Sequence, residues 1–194
     1  MKKIVGTLVA VGALVAVNAL GAPAATAGTP TVRNAWASAL LSQTSPSTAT
    51  ATGCLSTIVS VRVNDRSDTA DHGGTTLWAT DSCTASDPYA GGTMFWFYLP
   101  ATTGPTVDSN LGSGSYSDQI AFDMATSGPT TASVRATWTG VGKITNGAQM
   151  LDGAQWVRRQ RSANASIVVD LNDMHIVISG SLGVLEFDTL TAKV

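Results

Sequence analysis

Apolar and polar side chains alternate along most of this chain. From Thr131 to Gly140, Val134, Ala136 and Trp138 alternate with Ser133, Arg135, Thr137 and Thr139. A period of two puts the apolar set on one face of a β-strand and the polar set on the other. Cys54–Val63 repeats the pattern, with Leu55, Thr57, Val59, Val61 and Val63 on one side, and Tyr116–Met124, Ser166–Leu171, Met174–Ser179 and Val184–Thr191 follow it. Thr75–Cys83 returns as a strand beside the first. Thr93–Leu99 is apolar on both faces: Met94, Trp96 and Tyr98 share one side, Phe95, Phe97 and Leu99 the other. That predicts a central strand covered on both sides. Lys143–Leu151 is weaker and suits an edge, and Gln155–Arg161 is basic and extended. Polar or Gly/Pro-rich stretches at Asn64–Gly74, Asp87–Gly92 and Pro100–Ser115 predict loops, the last with room for a short strand near Val107, and Asn172-Asp173 predicts a hairpin turn. No stretch holds a 3.6-residue period. The expected fold is all-β: an antiparallel β-sandwich of eight or nine strands, in preference to a closed β-barrel.

The ends read differently. Lys2 and Lys3 precede an apolar run from Ile4 to Leu20, and Ala25-Thr26-Ala27 offers a small-x-small cleavage site. Residues 1–27 are therefore expected to be a cleaved secretory signal, and the protein to be secreted. No other apolar run approaches the length of a spanning helix. Residues 28–52, rich in Ala, Thr and Ser and interrupted by Pro30 and Pro46, read as a flexible lead-in. Within it Ala35–Leu41 could make a helical turn or a docking strand anchored by Trp36 and Leu40. Residues 53–194 are expected to form one β domain.

Cleavage would leave Lys143 and Lys193 as the only lysines of a mildly acidic chain. Nucleic acid, whose backbone is held by clustered Lys and Arg, is a poor match. Only 12% of residues are charged, about half the usual share, so Ser, Thr and Gly must carry solubility. Cys54 and Cys83 are the only cysteines. In an exported chain two cysteines default to one disulfide.

The stretches CLSTIVSVRVNDRS (Cys54–Ser67), ATWTGVG (Ala136–Gly142) and WVRRQRSANAS (Trp156–Ser166) resemble an uncharacterised family of exported bacterial β proteins, in which a TWTG-like strand is followed by an Arg/Ser/Asn stretch. The resemblance covers most of the chain after the signal. It implies export and a β fold and supplies no activity. The chain departs from the pattern in having no cysteine after its last strand.

Candidate chemistry is sparse. A serine hydrolase needs Ser, His and Asp converging in space, and the only histidines are His72, in a polar loop, and His175, expected to point to solvent. There is no G-x-S-x-G elbow. A glycosidase needs two facing carboxyl groups. Glu186 and Asp188 share a strand face, about 7 Å apart along the strand, and the expectation there is an ordinary solvated face. Asp65, Asp68 and Asp71 gather oxygen ligands in one loop. Calcium is the only metal they suggest, and their spacing is not that of an EF-hand; no other cofactor is expected. Sugar rings stack on exposed aromatics, so Trp96 and Tyr98, extended by Trp78 and Trp156, could form a glycan platform. Against this, large aromatics usually fill cores, Trp138 above all and Trp96 after it. Arg159 and Arg161 share a face opposite Arg158 and could hold an anionic wall polymer or pair with acids. The expected function is a non-enzymatic binding or envelope-associated module, with an extracellular glycan or cell-wall polymer as partner. The alternative is a secreted hydrolase.

Overall fold

The computed structural model describes residues 31–83, 93–124, 128–151, 154–172 and 174–192; the expected signal at 1–27 and the turn at Asp87–Gly92 lie outside them. The described chain is all-β, and its strands are β1 (Thr31–Pro46), β2 (Cys54–Arg66), β3 (Gly73–Asp81), β4 (Thr93–Pro100), β5 (Thr106–Val107), β6 (Ser113–Met124), β7 (Gly128–Gly140), β8 (Thr145–Leu151), β9 (Ala154–Leu171) and β10 (Met174–Ala192). Every pairing is antiparallel, in the order β4-β3-β2-β1-β10-β9-β7-β6-β5, with β8 on β9 beyond its contact with β7. No ladder joins β4 to β5, so the sheet is not a barrel. It curls until its halves face one another. Val59, Leu77 and Leu99 from one half share a core with Ile120, Val134 and Ile167 from the other. The result is a sandwich-like fold made from one continuous sheet.

Trp138 is the largest side chain in that core, 1% exposed. Its indole Nε1–H donates to the Ser38 carbonyl at 2.9 Å, tying β7 to β1 across the core. Room for the ring comes from small neighbours: a Cβ at Gly183 would come within 3.0 Å of the indole. Near the edges, Thr102 donates to Asp118 through both its N–H and its hydroxyl, each at 2.6 Å, and Tyr116 adds its phenol. Burial pushes the Asp118 carboxyl up, but these hydrogen bonds outweigh it and hold the group below its ordinary value. Cys54 and Cys83 form a disulfide at the shared end of β2 and β3.

Two expectations are corrected. Residues 31–46, expected within the flexible lead-in at 28–52, are strand, the docking-strand alternative given for Ala35–Leu41. They form β1, paired along its length with β2 and over its first half with β10. The signal lies in plain alternation, with Ala35, Ala37, Ala39 and Leu41 on one face and Val32, Asn34, Trp36, Ser38 and Leu40 on the other; Ala37, Ala39 and Leu41 are core. Alanine is a weak strand former, so tertiary pairing decides. β4, read as a central strand, lies at the end of the sheet. Leu99 is in the core with Phe95 and Phe97 packed against it, while Trp96 and Tyr98 face outward.

A bulge in β10 sets which side chains leave the core. Gly180 pairs with Ala165 but Gly183 with Ala163, so β10 carries one extra residue there. An extra residue flips every later side chain to the other face. Ile176 and Ile178 are core before the bulge and Leu185 after it, which turns Glu186 and Asp188 outward.

Candidate ligand-binding face

The outer face of β1–β4 carries aromatics where a solvated sheet would carry polar residues. Trp78 pairs with Trp96, and Thr76 with Tyr98, so all four point the same way. Trp96 is 56% exposed and Tyr98 49%. The Tyr98 ring lies over the backbone at Gly74, where a Cβ would fall 2.8 Å from the phenol oxygen, and its O–H donates to the Gly73 carbonyl at 3.2 Å. Glycine is required there chiefly because a Cβ would also fall 2.6 Å from the Leu99 carbonyl oxygen, which is backbone of the paired strand. Beside these aromatics is an open hollow of about 400 Å³, walled by Trp36, Trp78 and Tyr98 and lined with Ser60, Arg62, Asn64 and Thr76. Aromatic faces with a few hydrogen-bonding groups between them suit a flat, hydroxylated ligand.

The same face continues across β10 and β9. Trp36 stands opposite Glu186, Asn34 opposite Asp188, and Asp188 opposite Arg158. Glu186 and Asp188 are each 8% exposed. Arg158 Nε lies 3.1 Å from Glu186 Oε1 and 3.2 Å from Asp188 Oδ1, and its guanidinium sits 4.6 Å from the centre of the Trp156 ring. Burial first, then the hydrogen bond and charge of Asp188, raise the Glu186 carboxyl to about 7, with Arg158 pulling it back down. This departs from the expected solvated face. β1 lies against β10 and closes the space.

The two carboxyl groups are in contact rather than set apart across a cleft. Glu186 and Asp188 hydrogen-bond to each other and to one Arg nitrogen. Glycosidase carboxyl groups stand apart across the scissile bond, about 5–9 Å. His175 Nδ1 and Ser133 Oγ both contact Asp170, on different oxygens, at 2.5 and 3.1 Å. The carboxylate stands between serine and histidine, whereas a triad needs histidine in the middle.

The remaining candidates are scattered. Trp156 is on the outer face with Arg158. Arg159 and Arg161 are on the other, where Arg159 donates to the Ser109 carbonyl at 2.9 Å and Arg161 to the Gly142 carbonyl at 3.1 Å. Both guanidiniums hold loop backbone, and neither is brought to Trp96 or Tyr98. Asp68 takes a bidentate bond from Arg66, and Asp71 Oδ1 accepts from the Gly73 N–H. Asp65 lies against Gly104, on the face of β2 opposite Asn64. Among the described residues no group of three His, Cys, Asp or Glu is gathered closely enough to hold a metal ion. No helix among them is long and apolar enough to cross a membrane.

Sequence reasoning named Trp36 only as an anchor of a helical turn or docking strand, missed Asn34, and did not foresee the Arg158 clamp on Glu186 and Asp188. The alternation of residues 32–41 was the available signal for the first two. The clamp had none, because it needs the register of β9 on β10. Compared with protein-family models, curated proteins and solved structures, the chain has no match.

Proposed function

We propose that the protein is a non-enzymatic, secreted glycan-binding module whose ligand stacks on Trp78, Trp96 and Tyr98 and hydrogen-bonds in the adjoining hollow. The observation that carries this reading is the exposure of Trp96 and Tyr98, 56% and 49%, on one face beside that hollow. Exposed contiguous aromatics generally mark a binding surface. The Cys54–Cys83 disulfide suits an oxidising compartment. Sugar recognition uses these parts: the apolar face of a pyranose covers the ring, and its hydroxyls meet Ser, Thr and Asn.

The test is retention of the purified protein on insoluble polysaccharides and cell-wall preparations, with and without calcium. Wild type is expected to be retained, and Trp96→Ala to lose retention with unchanged melting temperature. Wild-type flow-through on every matrix would defeat the reading. Calcium dependence would instead return attention to Asp65, Asp68 and Asp71.

A hydrolase is the second reading, favoured by one observation: Glu186, near 7, would be a competent general acid at neutral pH. Its contact with Asp188 and Arg158 leaves no space for a sugar between the carboxyl groups. Release of reducing ends from a bound polysaccharide, lost in Glu186→Gln, would establish it.

A further inference from the structure

We infer that the hollows of the outer face form one groove, and that it holds a single extended chain of a neutral polysaccharide running diagonally from Tyr98 to Trp156. This rests on the glycan reading and specifies the ligand. Among the described residues four hollows line this face, and neighbours share walls. Trp36 and Asn64 line both the first, about 400 Å³, and the second, about 410 Å³. Asn34 and Arg66 line the second and the third, about 380 Å³. Trp156 lines the third and a fourth of about 180 Å³ bordered by Gly147 and Gln149. A compact ligand would occupy one such hollow. A string of connected ones fits a linear polymer.

The register gives the length. Tyr98 lies in the row of Leu40 and Trp156 in the row of Val32, eight residues apart along β1 and five strands apart in the sheet. On a flat sheet with strand spacing of about 4.8 Å and a rise of about 3.4 Å that is roughly 35 Å. Aromatic rings stand at both ends, with Trp36 between them.

Charge selects the polymer. Arg66 is matched by Asp68, and Arg158 by Asp188 and Glu186. Arg62 in the first hollow is offset along the groove by Asp71 in the second. A polyanion would find no run of free cations and a polycation no run of free acids. The uncharged lining, including Ser60, Thr76, Thr69 and Asn34, suits hydroxyl groups.

The experiment is calorimetric titration of the full chain with neutral glucan ladders, β-linked and α-linked, from disaccharide to octasaccharide, and with a carboxymethylated glucan of matching length. Affinity is expected to rise at least about tenfold between trisaccharide and octasaccharide, with the neutral chain preferred over the carboxymethylated one. Trp156→Ala, checked for wild-type melting temperature, is expected to abolish the gain with length and leave trisaccharide binding intact. Equal affinity for short and long chains of wild type would overturn the groove while leaving glycan binding in place. Tighter binding of the carboxymethylated chain would overturn its neutral character. If no glucan binds but another polysaccharide retains the protein on a matrix, the same ladder cut from that polymer decides: a charged polymer, or equal affinity for its short and long chains, overturns the neutral groove and leaves the glycan reading standing. If nothing binds in either assay, both fall together.

Discussion

The two outer faces of this sheet obey the same folding rule and look nothing alike. On β6, β7 and the second half of β9, the outward positions are mostly short and polar, with Ser115, Ser117, Gln119, Ser133, Thr137, Thr139, Asn164 and Ser166 beside Arg135, Val168 and Asp170. On β1–β4 and the bulged end of β10 with β9, they include Trp36, Trp78, Trp96, Tyr98, Glu186, Asp188, Trp156 and Arg158. Inward positions on both regions are apolar and join one core. The core therefore does not dictate which outer face is which. Short hydroxyls are what a soluble strand needs, whereas exposed indoles work against solubility. The aromatic face is the part that folding leaves unexplained, so it carries the functional proposal.

The contrast between inside and outside can be broken most violently at one strand. Trp138→Ala is expected to cost about 3–5 kcal/mol in denaturant unfolding, through the cavity it leaves and its lost bond to Ser38. Its neighbour Thr137, on the hydroxyl face, should change stability by less than about 0.5 kcal/mol when replaced by Ala. Comparable losses at the two positions would mean that the face assignment of β7 is wrong.

A pH series sharpens the contrast between the faces. Glu186 ordinarily titrates near 4.5 and is raised to about 7 in the folded chain. Between those values the folded state holds a proton that the unfolded chain has lost. Stability from this group is thus full below about 4.5 and is lost as pH rises from there through about 7. Glu186→Gln should flatten that slope and leave the protein more stable than wild type at pH 8. Thermal melts from pH 4.5 to 8.5 measure it, and identical slopes for the two proteins would exclude a buried, proton-sharing pair.

Binding gives the next largest effect. Trp96→Ala should weaken retention on a bound polysaccharide about tenfold or more, equivalent to about 1.4 kcal/mol, without lowering the melting temperature. The smallest effect belongs to the hydroxyl face. His175→Ala, which removes the exposed contact with Asp170, is expected to change neither retention nor melting temperature in a side-by-side assay. Lost retention in His175→Ala would move the binding surface to the other face.

Much of the architecture is legible in side-chain alternation. Val134, Ala136 and Trp138 read as core and are core; Cys54 and Cys83 read as a disulfide and form one. His175 read as solvent-facing and is exposed. The failures have a common cause. β1 is built on alanines, whose burial signal is weak, so the strand emerges only once β2 and β10 flank it. β4 looked central because both its faces are apolar, yet one of them is turned to solvent. Hydrophobicity reports what a side chain is, and burial depends on what covers it.

By itself, the sequence determined which residues alternate, hence the all-β class and the inward set of strands such as β2 and β7, because a strand's period of two is a local property of the backbone. Only the tertiary structure decided what those strands put side by side. Glu186 meets Arg158 because β10 carries a bulge and pairs with β9, and Trp36 joins Trp78 and Tyr98 because β1 lies beside β2. Such neighbours are separated by tens of residues along the chain, and strand order and register are set by the packing of the whole core.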